Sequence, residues 1–285
     1  MRRLRRSRAL LSQQRLNYHV HSGSGPYLGL LHGFLSSAKQ WQLNLEALSE
    51  VCTPVTIELW GHGDSPTPDN PEAYRPQAYI QELEHIRQAL GADKWLLCGY
   101  SLGAGITVRY TYQHPARIIA HGFTNSSSGF ASAEVLANWQ RDLPATATKI
   151  LAKGQQAIER IAVHPKYAKR LPPEIYDALV EDAKKLTPTA VANTLLHTNM
   201  LVSTRDIVDA NPRPALFTFG HHEKRFTSTK DWVVANMQHL QVVELEAGHA
   251  VNMEDASGFN HAWQKFIGEH CIPKKKMTTS EDSGR

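Results

Sequence analysis

The chain has 285 residues, 41% hydrophobic and 20% charged, with a formal net charge of +4. This is the composition of a globular chain long enough to bury a full core. No apolar run approaches the roughly 20 residues that span a bilayer, so no membrane span is expected. The positive charge is concentrated in Arg2, Arg3, Arg5, Arg6, Arg8 and Arg15, and in Lys274, Lys275 and Lys276. The body between these ends carries 21 basic and 25 acidic residues, so a nucleic-acid face is not implied.

Residues 1–15 read as a basic, solvated and disordered arm. Only Ala9-Leu10-Leu11 is apolar after the arginines, too short for the hydrophobic region of a secretory signal. The three cysteines, Cys52, Cys98 and Cys271, are widely spaced and odd in number. They predict buried free thiols in a reducing compartment, with the cytoplasm as the expected location.

The first strand pattern is Tyr27 to Leu31, followed by the loop Leu31-His32-Gly33-Phe34-Leu35. A helical spacing over Trp41 to Leu48 leads to a strand at Val55 to Leu59. The turn Gly61-His62-Gly63-Asp64-Ser65 closes it, with His62 and Asp64 read as architecture. Ile80, Leu83 and Ile86 share one face of a helix over Tyr79 to Leu90. The strand Trp95 to Cys98 then breaks at Gly99-Tyr100-Ser101-Leu102-Gly103, and a helix runs from Leu102 to Tyr112. Ile118 to Thr124 is the next strand. Alternating β and α segments with near-continuous apolar strands predict a mostly parallel sheet covered by helices on both faces.

From about Ser126 to Asn211 the alternation lapses into helices only. Pro172-Pro173 opens one, with Ile175, Leu179 and Ala183 on a face, and Thr187-Pro188 opens another. An all-helical insertion between sheet strands reads as a cap over their carboxyl ends, where ligands bind in such sheets. Strands at Ala215 to Phe219 and Val242 to Leu245 and a helix at Phe259 to Ile267 complete the body. The expected organisation is an α/β core over 16–125 and 212–272, a cap over 126–211 and a disordered tail over 273–285.

Gly-x-Ser-x-Gly between a strand and a helix forces the serine into a tight turn that exposes its Oγ at the sheet edge. Gly99 and Gly103 are needed because side chains there would collide as the turn closes. A serine hydroxyl becomes a nucleophile when a base takes its proton, and the base needs a carboxylate to orient it. His249 follows the last strand on Glu246-Ala247-Gly248-His249, which singles it out among 15 histidines. Glu223 lies on the loop after Phe219, where the acid belongs, with Asp231, Asp206 and Asp209 as backups. His221 and His222 beside Glu223 invite a metal reading, but adjacent ligands diverge and no third has recognisable spacing, so no metal is expected. No cofactor is expected either.

The backbone N–H groups of Leu102 and Phe34 are the candidate donors of an oxyanion hole. His32 reads as a structural hydrogen-bonding residue. Tyr100, Phe130 and Trp139 are candidate substrate-binding residues, with Leu143 a further candidate for the pocket.

His-Gly-Phe at 32–34, Gly-His-Gly-Asp-Ser at 61–65, Gly-Tyr-Ser-Leu-Gly at 99–103 and Gly-His at 248–249 occur together in this order. Over roughly residues 16 to 272 the chain thus resembles the α/β-hydrolase superfamily. The resemblance implies an eight-stranded, mostly parallel sheet with a helical cap, and a triad of Ser101, Glu223 and His249. Leu-His-Gly-Phe-Leu-Ser-Ser with Trp41 following looks most like the menaquinone-pathway lyase that makes 2-succinyl-6-hydroxy-2,4-cyclohexadiene-1-carboxylate. That family usually places an arginine where this chain has Gly105, and an aspartate where it has Glu223. Three functions follow: a serine hydrolase of a small ester, thioester or lactone; a lyase that eliminates pyruvate, with Arg109, Arg141 or Arg205 holding an acidic substrate; and a non-catalytic binding protein. The expected partner is a small acyl substrate, and the oligomeric state is left open.

Overall fold

The computed structural model describes residues 14–271. All six apolar runs are strands, and a seventh, β1 (Tyr18–Val20), precedes them. It is followed by β2 (Tyr27–Leu31), β3 (Thr53–Ile57), β4 (Trp95–Gly99), β5 (Ile118–Thr124), β6 (Ala215–Gly220) and β7 (Leu240–Leu245). Their spatial order is β1-β3-β2-β4-β5-β6-β7, and every pairing except β1 with β3 is parallel. The sheet therefore has seven strands among the described residues, not eight. β1 carries no apolar run, only a half-exposed three-residue edge, which is why its pattern is silent.

The helices are α1 (Leu45–Ser49), α2 (Pro76–Ala89), α3 (Leu102–Gln113), α4 (Ala133–Lys153), α5 (Gln155–Ile158), α6 (Pro173–Ala183), α7 (Pro188–Asn193), α8 (Thr227–Asn236), α9 (Val251–Glu254) and α10 (Ala256–Cys271). Every residue of β4 is buried, and its side chains alternate between two cores. Leu96 and Cys98 pack with Trp41, Leu48, Phe259 and Trp263, from α1, α10 and the turn before α1. Trp95 and Leu97 pack with Tyr79, Leu83, Ile106 and Tyr110 of α2 and α3 on the opposite face. A parallel sheet covered on both sides follows directly from that alternation.

Two boundaries differ from the sequence pattern for identifiable reasons. The strand expected at Val55 to Leu59 ends at Ile57, opposite Leu31, because β2 runs out there. The Leu59 N–H donates instead to His32 Nε2 at 3.0 Å. The helix expected over Trp41 to Leu48 is split. Gln40, Gln42 and Asn44 donate to carbonyls three residues back, which keeps Ala38–Trp41 in a 3₁₀ turn before α1 begins. α9 has no counterpart in the sequence pattern.

Between β5 and β6 every described element is helical. Thr187 caps α7 by accepting from the Ala190 N–H at 3.1 Å, and Ile175, Leu179 and Ala183 of α6 are buried. Thr198 donates to the Tyr74 carbonyl at 2.6 Å, tying the insertion to the body. Arg15, expected in the disordered arm, belongs to the folded body: it pairs with Glu82 at 2.8 Å, and Leu16 beside it is buried. The rest of the arm, residues 1–13, lies outside the described residues, as does the tail over 273–285. The cysteines are free; Cys52 and Cys98 are buried and Cys271 is half-buried at the end of α10. No helix among the described residues is long and apolar enough to cross a membrane.

Three histidines are fully buried within this framework. His32 Nδ1 lies 2.7 Å from the Gly33 carbonyl, and His62 Nδ1 lies 2.9 Å from that of Trp60. Each Nε2 accepts an amide N–H, from Leu59 and Leu35 respectively. A carbonyl can only accept and an amide only donate, so both rings are neutral with the proton on Nδ1. Burial lowers His32 to about 4 and His62 to about 3. His121, which contacts Asn211 Oδ1 at 3.1 Å, is lowered to about 4 for the same reason.

These depressed values set a pH dependence. Below the unfolded value of about 6.5 the unfolded chain takes up protons that the folded chain refuses, so folding stability falls as the pH drops toward 4. Each histidine contributes a slope of up to about 1.4 kcal/mol per pH unit in that window. Urea melts between pH 7 and pH 4.5 should show the loss, and His62→Gln should flatten the slope.

Candidate active site

β4 turns into α3 through Ser101, whose φ of 51° and ψ of −112° lie in the left-handed half of backbone space. A non-glycine residue held there costs on the order of 1–3 kcal/mol. The turn survives because its neighbours leave no alternative. A Cβ at Gly99 would sit 2.4 Å from the Gly103 carbonyl oxygen, and one at Gly103 only 2.5 Å from that of Leu31. The Ser101 N–H donates to Thr124 Oγ1 at 3.0 Å, from the end of the adjacent strand β5. The Tyr100 N–H donates to the Leu31 carbonyl at 2.9 Å. The hydroxyl consequently stands at the carboxyl edge of the sheet.

The loops leaving β6 and β7 are stitched together. The His221 N–H donates to the Leu245 carbonyl and the His222 N–H to that of Ala247. This pairing brings Glu223 and His249 face to face across 26 residues of chain. His249 Nε2 lies 3.1 Å from Ser101 Oγ, and its Nδ1 is hydrogen-bonded to Glu223 Oε1. The other Glu223 oxygen accepts from Asn125 Nδ2. Glu223 is buried whereas His249 is about one-third exposed. Phe226 stacks on the His249 imidazole with centroids 5.1 Å apart, and the Tyr100 ring lies tilted against the same imidazole at 5.3 Å. The three residues singled out from sequence therefore form one continuous hydrogen-bonded chain.

Asn125, Thr124 and Phe226 were not anticipated. Each acts on a residue remote in sequence, and no local pattern could mark them. The backup acids lie elsewhere: Asp231 is exposed beside Lys230, Asp206 pairs with Arg109, and Asp209 is exposed.

Leu102 opens α3, so its N–H has no intrahelical acceptor. Among the described residues neither it nor the Phe34 N–H donates to a protein acceptor. The Phe34 loop is held by its flanks. The Gly33 N–H donates to Gln40 Oε1 at 3.3 Å, and the Leu35 N–H donates to the buried His62 Nε2 at 3.2 Å. Leu35 itself has a φ of 60°, so His62 secures a strained residue immediately after the candidate donor.

Two cavities meet at the Ser101–His249 pair. The smaller, of about 280 Å³, runs beneath the helical insertion and is lined by Phe34, Tyr100, Leu171, Leu179 and Met253. The larger, of about 780 Å³, is lined by Phe130, Val135, Arg205, Glu223 and Phe226. Val163 borders both. Tyr100 lines the smaller cavity and Phe130 the larger, whereas Trp139 is half-buried on α4 and lines neither. Val135, four residues earlier on that helix, takes the place expected for it. Leu143 packs against a separate apolar cluster that includes Ile150 and Ile158.

His221 and His222 take carboxylate partners of their own, and His222 also borders the larger cavity. Their rings pair with Glu244 at 2.7 Å and Glu246 at 2.9 Å, and all four side chains are exposed. His221, His222 and Glu246 bring three potential metal-donor atoms within 4.8 Å of one another. Glu223, the carboxylate adjacent in sequence, is not among them.

A family model described as alpha/beta hydrolase fold matches residues 26–157. The chain has the α/β-hydrolase fold. MenH from S. aureus superposes with a TM-score of 0.76 at 20% identity, over 89% of this chain and 98% of that one. A thermophilic esterase from Thermogutta terrifontis gives 0.74 at 19% identity, over 90% and 94%. At these identities the likeness is one of fold. By sequence, the 1-acylglycerol-3-phosphate O-acyltransferase ABHD5 of Rattus norvegicus is 32% identical over 128 residues, covering 44% of this chain. The match spans about a third of that relative's length, 36%.

Thr124→Val removes the acceptor of the Ser101 N–H while keeping the side-chain shape. It should lower unfolding free energy by about 1–3 kcal/mol, the cost of an unsatisfied buried donor, as read from urea melts.

Proposed function

We propose that this protein is a serine hydrolase that cleaves a small carboxylic ester, thioester or lactone. The observation that carries the proposal is the Ser101 Oγ to His249 Nε2 contact of 3.1 Å, at a strained serine open to both cavities. In the proposed reaction Ser101 Oγ attacks the carbonyl carbon while His249 Nε2 takes its proton. Glu223 keeps the imidazole proton on Nδ1 and stabilises the imidazolium that forms. The Phe34 and Leu102 N–H groups receive the developing oxyanion, contributing on the order of 3 kcal/mol each. Collapse of the tetrahedral intermediate breaks the carbonyl–oxygen or carbonyl–sulfur bond, and His249 returns its proton to the leaving group. Water activated by the same histidine then releases the acid from Ser101. The helical insertion over 126–211 serves as the cap that closes the smaller cavity.

The lyase alternative finds less support. At the position of the lyase family's arginine, a Cβ on Gly105 would lie 2.7 Å from Val202 Cγ2 and 2.9 Å from Gly129 Cα. An arginine there has no room. Arg109 is committed to the Val202 and Ser203 carbonyls and Asp206, and Arg141 is exposed beside Asp142; of the three arginines only Arg205 lines a cavity without an acidic partner among the described residues.

Intact-mass analysis after exposure to a fluorophosphonate should give one adduct on the native chain and none on Ser101→Ala. A folded native protein that takes no adduct would count against an activated serine. With a reporter ester, Glu223→Gln should lower kcat by roughly 10³-fold or more, since it disturbs the tautomer and charge of the histidine partner. Asp231→Asn should stay within about twofold, as expected for an exposed surface change. A large loss at Asp231 instead would reverse the assignment of the acid.

A further inference from the structure

The larger cavity holds a cation with no acidic partner. Arg205 lines it, and Arg205 forms no salt bridge among the described residues. Its Nε–H donates to the Phe130 carbonyl at 2.8 Å, and its guanidinium carbon lies 4.1 Å from the centroid of the Trp232 ring. One edge of the guanidinium is thus fixed by a backbone oxygen and one face by an indole, which orients the planar group without neutralising it. Burial lowers the Arg205 pKa from its ordinary value, as expected for a cation without a nearby carboxylate.

The charge balance of the cavity points the same way. Its only acidic lining residue is Glu223, and both oxygens of that carboxylate are occupied by His249 and Asn125. The neighbouring Asp206 is turned to Arg109. Lys224 and the hydroxyl residues Ser127, Ser132, Ser228 and Thr229 also line the space. A fixed guanidinium with free donors, surrounded by hydroxyls and with no available carboxylate, is complementary to an oxyanion of a ligand.

We propose that the substrate carries an anionic group, a carboxylate or a phosphate, which Arg205 binds in the larger cavity while the scissile carbonyl lies at Ser101. This deepens the hydrolase reading and rests on it for the position of the carbonyl. Arg205 acts as a specificity residue and takes no part in bond making. Selectivity for a charged substrate over a neutral one of equal length is its expected consequence.

The test separates binding from turnover. Glutarate and inorganic phosphate are titrated into the full-length protein and followed by tryptophan fluorescence, because Trp232 stacks on the guanidinium. Saturable binding is expected, weakened about tenfold or more in Arg205→Met, as for loss of a charge-assisted contact. Arg205→Lys keeps the charge and should fall between the two, which also guards against a misfolded Met variant. The stronger of the two ligands identifies the source of the anion. Turnover of the p-nitrophenyl monoester of glutarate is then compared with that of p-nitrophenyl pentanoate. The native protein should favour the charged ester, and Arg205→Met should collapse that ratio through KM.

No saturable anion binding, equal binding in all three proteins, or a loss shared equally by both esters would overturn the inference. Ester turnover without anion binding defeats it while leaving the hydrolase reading intact. Anion binding without turnover of any ester supports Arg205 as an anion site and counts against the hydrolase.

Discussion

The turn from β4 into α3 is the constraint on which the rest of the site depends. The chain must reverse from strand to helix within one residue, at the edge of a sheet whose neighbouring strands are already in place. Ser101 takes a positive φ there, and the backbone of Leu31 passes close enough to Gly103 that no side chain fits between them. Strain of this kind persists only where surrounding structure overdetermines it. Here the surroundings are the Thr124 hydroxyl, the Leu31 carbonyl and the first turn of α3. The same geometry leaves the Leu102 N–H free of an intrahelical partner, so one distortion sets both the hydroxyl and a candidate donor beside it.

The histidines show how environment separates scaffold from chemistry. His32 and His62 are wholly buried, neutral, and saturated by backbone partners on both ring nitrogens. They brace the loops after β2 and β3, including the strained Leu35, and have no free nitrogen for a substrate. His249 differs in each respect: it is partly exposed, has a carboxylate on one nitrogen and a hydroxyl on the other, and borders both cavities. The contrast arises from position in the sheet, since His249 follows the last strand at the open carboxyl edge while the other two lie under the loops.

The two cavities divide along chemical lines. Under the insertion the lining is mostly aliphatic and aromatic, from Phe34 to Met253, with Ser36, His164 and Glu254 among it. On the β6 side it gathers hydroxyls and an arginine without an acidic partner. A ligand spanning both would present an apolar part to one and a polar or charged part to the other, with Ser101 at the junction.

Much of this was legible in the amino-acid sequence because it is written in short-range periodicity. Continuous apolar runs marked six strands, and the glycines at 99 and 103 marked a turn that only a tight strand-to-helix passage requires. Glu223 and His249 were readable as residues on loops leaving later strands. Other features were decided only by tertiary structure. β1 forms because β3 offers a free edge, and its own residues carry no apolar pattern. Asn125, Thr124 and Phe226 gain their contacts from chain segments 23 to 98 residues away. Trp139 and Val135 share a helix, and only its packing determined which of them meets the cavity. Arg205 was one of three arginines that composition could not distinguish; the placement of Asp206, Asp142 and Trp232 around them did. Local sequence specifies backbone tendencies and which face of an element is apolar. Partner choice among charged and polar side chains depends on distances between elements, and those exist only once the chain has folded.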